Sequence, residues 1–395
     1  MAAGTKRHPS ILTFARYSMS SVGFWKYPNQ KYPLKLFYHF YSAFFIFYYV
    51  TYTVSACTQF TITLTAASAF DSAMIKQLSF VITILISFYV IMVCHSKTFN
   101  KNISHIVREE RSMLQSDDAD VIKFHLQQIR NCNAMNAIVS ILAFGTGFAM
   151  ALENYLINVK VARYNKDHNT TLERPLLIDL YYFKIDKHKR CDLLLVFAEM
   201  SFAFNTLIML SPKLSIYACV IFTSSLLKQL QIRFSKLGLG REDTLTSLKH
   251  LVREHQKIIA FVIQLNASMK FLILLEYLLN SLNVAAVSVQ FITYEKKMLL
   301  MPCFYIFFLL VQVFTMGISA NEIKAQSLAL SDAIYSSPWQ EQNESVKKIL
   351  LIVIGRTQRP LMLTIGPFGP MVIDSALAIC KASYSYVTLM MHNVQ

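Results

Sequence analysis

Seven times along this chain an apolar run recurs that is long enough to cross a bilayer, and that recurrence limits the possible folds more than any other feature. A helical span needs about 20 mostly apolar residues. In hydrocarbon every backbone N–H and C=O must be bonded inside the protein, so such runs are helices unless they close a barrel. The runs are Leu36–Phe70, Gln77–Ser96, Asn131–Leu152, a fourth within Leu193–Leu227, a fifth within Ile258–Tyr294, Met298–Asn321, and Leu361 to about Met391. The third continues past Glu153 toward Asn158, and Pro212 predicts a kink in the fourth. Charged residues make up 15% of the chain, against roughly 25% in soluble domains. The expectation is an all-α membrane protein with seven transmembrane helices.

The net charge of +15 raises nucleic acid as a partner. That reading needs a basic face on a soluble fold, whereas here Lys and Arg sit between the apolar runs, where they serve as positive-inside flanks and meet anionic lipid. With the N-terminus inside, cytoplasmic segments hold 24 Lys or Arg and external ones 11, of which 8 lie in the loop 153–192. Arg356 and Arg359 precede the last run, and no Lys or Arg follows Lys381. These flanks predict a cytoplasmic N-terminus and an extracellular C-terminus. Asn169-Thr170-Thr171 is a glycosylation sequon in the external loop, whereas those at Asn102, Asn266 and Asn343 fall inside or in buried segments and are expected to stay bare.

The first 35 residues carry six Lys or Arg and no acid, with no cleavable signal core. Seven cysteines without a C-x-x-C spacing indicate neither zinc nor a disulfide scaffold. Cys57, Cys191 and Cys303 fall near outer ends of spans, where either a pair or free thiols would fit. Around Gly238–Arg253, a glycine-bearing loop, the segments Lys228–Lys236 and His250–Ala260 alternate charged and apolar residues at helical spacing. Cytoplasmic helical extensions of the fourth and fifth spans follow, built either for assembly or for intramolecular packing.

Catalysis has little support. Glu254-His255 lacks a second metal ligand one turn on, and no phosphate loop, nucleophile elbow or paired carboxylate set is present. No enzyme and no cofactor is expected. Outer halves of spans instead carry aromatics and Met at helical spacing: Phe80 and Ile84, Met150 beside Tyr155, Phe197 with Met200 and Phe204, and Tyr305 with Phe308. Such faces suit an apolar ligand pocket and equally suit ordinary bundle packing. Glu199 in the fourth span points to protein or water. So do Asp374 and Lys381, seven apart and therefore on one face of the last span, which is a first sign of a water path.

Arg356-Thr357-Gln358-Arg359-Pro360-Leu361, a glycine five residues on at Gly366, and the closing Ser383-Tyr384-Ser385-Tyr386 resemble the C-terminal signature of insect odorant receptors. Glu254-His255-Gln256, the run Asn321–Tyr335 ending in Pro338-Trp339, and Lys347-Lys348 are similar at the expected places. The resemblance implies an odorant-gated cation channel subunit that forms a heterotetramer with a shared co-receptor and binds a small volatile odorant, with membrane lipid as the surrounding partner. Lacking the co-receptor's long insertion in its fourth connection, the chain resembles a tuning subunit, and it departs from the Thr-Tyr…Gln-Phe ending of gustatory receptors. Pro367 and Gly369-Pro370 go beyond the usual pattern.

The chain then divides into a cytoplasmic segment 1–35, six spans with an outer-half ligand pocket over 36–321, a cytoplasmic helical assembly region 322–360 and a pore-lining seventh span 361–395. The family's pocket position implicates Phe80, Ile84, Met150, Tyr155, Met200, Phe204, Tyr305 and Phe308, and its tail implicates Leu389, His392 and Asn393 at the pore. The alternative, a seven-span G-protein-coupled chemoreceptor, would need the opposite orientation; Asp-Arg-Tyr and Asn-Pro-x-x-Tyr motifs are both absent. A transporter would show symmetric halves, and no internal repeat is visible.

Overall fold

The computed structural model describes residues 10–25, 32–66, 72–115, 118–182, 190–239, 243–293 and 300–394. Ten α-helices account for most of them: α1 Thr13–Ser21, α2 Tyr32–Ala66, α3 Ser72–His95, α4 Lys97–Leu114, α5 Ala119–His168, α6 Cys191–Ser235, α7 Thr244–Thr293, α8 Leu300–Tyr335, α9 Glu344–Thr357 and α10 Ile373–Val394. Six of these, α2, α3 and α5 to α8, are long and apolar enough to cross a membrane. The 22-residue α10 stands where the sequence places the seventh span.

Each spanning helix buries one stripe and turns another outward. In α2, Phe45, Tyr49, Tyr52 and Ala56 are buried at i, i+4, i+7 and i+11, while Phe37, Phe40, Phe44 and Phe47 face out. An outward aromatic face costs little in lipid, which is as apolar as the side chains. In α5 the buried positions Val121, His125, Ile129, Cys132, Asn136, Val139 and Ala143 keep near-helical spacing through segments too polar to read as membrane. That stripe explains why the helix runs for 50 residues, well beyond the apolar run that marked it. α6 is the central post, packing on α1, α5, α7 and α8.

At one end, here called the base, the helical extensions pack on one another within the chain. Gln231 Nε2 donates to the Gln326 backbone oxygen at 2.6 Å. Arg233 meets Glu254 at 2.6 Å, and Lys236 meets Asp118 and Asp120 at 2.9 and 2.6 Å. Gln264 Nε2 donates to Asn102 Oδ1 at 2.8 Å, burying that sequon. Glu110, itself buried, accepts from the Ser10 hydroxyl and the Ile11 N–H at 2.5 and 2.7 Å, tying down the segment that leads into α1. All seven cysteines are free.

The last span begins later than its apolar run. Leu361–Val372 forms no helix: Ile365 N–H donates to Gly369 O at 2.9 Å and Met371 N–H to Leu363 O at 2.8 Å, around an antiparallel bridge between Thr364 and Pro370. Pro367 and Pro370 lack the N–H a helix would use, and Gly366 at φ 53° and Gly369 at φ 152° occupy backbone regions closed to most residues. Asn266 Oδ1 accepts from Thr364 N at 2.8 Å, and Gly366 N–H donates to Lys270 O at 2.9 Å, so α7 satisfies the irregular backbone.

Candidate functional site

The aromatic positions that the sequence groups on helix faces are only partly brought together. Phe80 stands edge-on to Tyr52 at 6.2 Å, Tyr52 stacks with Tyr48 at 6.1 Å, and Tyr48 contacts Phe204 at 6.4 Å. Phe80 of α3 and Phe204 of α6 therefore belong to one cluster through two tyrosines of α2. The segment following α5 reaches the same end of the bundle. Ser55 Oγ donates to Tyr181 O at 2.8 Å, and the buried Tyr182 lies 6.4 Å from Phe197. Neither Tyr52 nor Tyr182 has a hydrogen-bond partner for its hydroxyl among the described residues.

The other sequence-based positions scatter. Ile84 is fully buried and its backbone oxygen accepts from Tyr49 at 3.0 Å. Phe308 packs against the cluster of Val139, Ala143, Leu210 and Leu214. Tyr305 and Met150 are half-buried. Tyr155 and Met200 are 58% and 57% exposed, on the outer surface of this chain. Asn169 ends α5 in a left-handed conformation and is exposed, an accessible position for a glycan.

A separate chamber lies deeper, between α5, α6, α7 and α8. Its volume is about 90 Å³, and its polar lining includes Asn136, Lys213, Glu276, Tyr277, Asn280 and Gln312. Lys213 Nζ sits 2.8 Å from Glu276 Oε2, tying α6 to α7. In the sequence, these two charges appeared only as interruptions of separate spans. Opposite charges inside neighbouring apolar runs were the available signal. The chamber also adjoins α10: Gly317, next to the lining residue Met316, leaves space in which a Cβ would stand 3.6 Å from the Tyr277 hydroxyl and 3.5 Å from Ala376.

α10 packs mainly on α7 and α8. Ala376 and Ile379 are buried against them, while Asp374, Leu377, Ala378, Lys381, Ser385 and Thr388 are exposed. At 3.6 residues per turn these exposed positions form one face. Asp374 and Lys381 thus do share a side, and it is the side the single chain leaves open. Leu389, His392 and Asn393 belong to the last turns of the helix; their side chains lie outside the described residues.

Comparison with known proteins gives this geometry its family. The chain is 32% identical to Odorant receptor 10 of Aedes albopictus over 166 residues, covering 41% of this chain and 44% of that one. It is 31% identical to Odorant receptor Or2 of Anopheles gambiae over 205 residues, 49% and 54% of the two chains. The match thus spans about half the length of these curated relatives. The fold is shared with the insect olfactory receptor OR5 of Machilis hrabei at a TM-score of 0.75 and 15% identity, covering 95% of this chain and 96% of that one. The same receptor in complex with eugenol matches at 0.75 and 15%, over 97% and 96%. Residues 72–384 match the family described as 7tm Odorant receptor, and with a multi-pass helical bundle of the same fold, this chain belongs to the insect odorant receptor family.

Proposed function

We propose that this chain is the ligand-tuning subunit of an odorant-gated, non-selective cation channel, assembled as a heterotetramer with co-receptor subunits in the plasma membrane. The observation that carries this reading is the open face of α10. Asp374, Lys381, Ser385 and Thr388 align on a membrane-spanning helix and are exposed, uncovered by the other described elements. Polar and ionised side chains at membrane depth face protein or water. A ring of such helices around an axis supplies both, and it is a pore. His392 follows Asp374 by five full turns and so falls in the same register, with Leu389 and Asn393 to one side of it.

The ligand, in this reading, is a small apolar volatile held at the end of the bundle where Phe80 and Phe204 meet Tyr48 and Tyr52. The eugenol complex of the Machilis receptor, a small phenol bound by the same fold, supports that class. Ile84, Met150, Tyr155, Met200, Tyr305 and Phe308 complete the proposed recognition set, with the exposed members facing the rim. The N-terminus is cytoplasmic and the C-terminus external.

Inside-out patches from cells expressing this chain with an insect odorant co-receptor test the proposal, in a bath free of nucleotide and G protein. A cation current evoked by a volatile agonist, absent with either subunit alone, is expected. Surface-expressed receptor whose response vanishes without G protein would replace the channel reading with the coupled-receptor one.

A further inference from the structure

Three polar atoms around the inner chamber have no hydrogen-bond partner among the described residues: Asn136 Oδ1, Glu276 Oε1 and the Tyr277 hydroxyl. Asn136 is 0% exposed and Tyr277 7%. Burying a polar atom without a partner is costly, and three such atoms around one space point to an occupant. Its chemistry is constrained. An amide oxygen and a carboxylate oxygen only accept, whereas a phenol can donate or accept. The occupant must therefore carry a hydrogen to donate, which excludes ketones, esters and ethers. A cation is disfavoured because the Lys213 ammonium already neutralises Glu276 at 2.8 Å.

Size and lining narrow it further. The space of about 90 Å³ is smaller than the roughly 150 Å³ cavity that admits benzene. Part of the wall is apolar, with Val139, Leu214, Leu272 and Val313. Water alone leaves that part unmatched. A molecule with one hydroxyl and a short alkyl tail satisfies both parts.

We propose that this chamber is a second ligand site, separate from the outer aromatic cluster, which takes an alcohol of about two to four carbons in place of resting water. Its hydroxyl donates to Asn136 or Glu276 and accepts from Tyr277. Because Tyr277 lies against the Gly317–Ala376 contact, the occupant bears on the junction of α8 with the pore helix, whichever ligand occupies the outer site.

The test reads binding and does not depend on channel activity. The full chain in phosphatidylcholine nanodiscs is irradiated with a diazirine-bearing butanol, and labelled peptides are mapped by mass spectrometry. Expected are adducts on peptides containing Tyr217, Tyr277 or Met316, suppressed at least fivefold by excess 1-butanol but not by butanone, which has the same bulk without a hydrogen to donate. Asn136→Ala with Tyr277→Phe should reduce the adducts to a similar extent. Adducts confined to lipid-facing residues such as Phe37 and Phe40, or equal competition by butanone on the unaltered chain, would overturn the proposal. Competition on the unaltered chain decides the matter even if the double variant does not fold.

Discussion

Lys213 of α6 and Glu276 of α7 meet at 2.8 Å inside the bundle, with 24% and 14% of their side chains exposed. Removing one charge leaves the other stranded, which costs about 3–5 kcal/mol in a fully buried pair. The partial exposure here reduces that to about 1–3 kcal/mol. Glu276→Gln should lower the melting temperature of the detergent-purified chain, and Lys213→Met combined with Glu276→Leu should recover most of the loss. A double variant no more stable than the single one would show that the pair is not the source of the effect.

Gly366 combines a φ of 53° with a neighbour, Leu274 Cδ2, only 2.8 Å from where a Cβ would lie. Gly366→Ala therefore meets backbone strain and a clash together, and should cost about 1–3 kcal/mol. Gly145→Ala is the control: that helical position has nothing within 4 Å, and alanine is favoured over glycine there by roughly 1 kcal/mol. Surface expression and melting should move in opposite directions for the two variants.

His125 and His255 lie on helical extensions beyond the spans, and burial pushes each down to about 4, with Arg356 adding to the effect at His255. Unfolded, each would titrate near about 6.5. Between those values the unfolded chain binds protons that the folded chain refuses, so stability is lost as pH falls from about 6.5 toward 4. Glu110, 3.6 Å from His125 and raised by its own burial, works in the opposite sense. The net loss should therefore come mainly from His255. His255→Gln should flatten the dependence of melting on pH between 7.5 and 5, and an unchanged slope would refute this assignment.

At the pore, a smaller polar residue at Leu389 should raise ligand-free current, since an apolar ring closes a pore by dewetting. Charge changes at His392 or Asn393 should alter permeability and leave agonist potency nearly fixed. At the recognition set, Met200→Ala or Tyr305→Ala should reorder agonists, because one methylene in an apolar pocket is worth about 1–3 kcal/mol. Identical rank order and potency in both would reduce that stripe to packing.

Orientation is checked with epitopes. An N-terminal tag should stain only permeabilised cells and a C-terminal tag intact ones, with a glycan at Asn169 shifting the mobility of the chain. A C-terminal tag hidden in intact cells would invert the architecture.

The spans were legible because hydrophobicity is local: a run of apolar residues announces a helix without knowledge of its neighbours. The Leu361–Val372 hairpin was not separated from the last span, because its Leu and Ile residues are as apolar as a helix. Only the Gly366, Pro367, Gly369 and Pro370 pattern set it apart. The Phe80–Tyr52–Tyr48–Phe204 chain was half legible: spacing identified faces within one helix, but which face meets which depends on helix rotation, and that placed Met200 outward while burying Ile84. Lys213 and Glu276 were each visible as charges in apolar runs, yet their pairing is a contact between helices that no one-dimensional spacing encodes.

The hairpin fixes the foot of α10 by bonding its backbone to Asn266 and Lys270 of α7. A rod clamped at one end moves most at the other. Over 22 residues the rod is about 33 Å long, so a tilt of about 5° carries its tip about 3 Å. Small leverage near Gly317, close to the clamp, is therefore magnified along the rod, and the aperture the helix controls should open widest at the end farthest from its anchor.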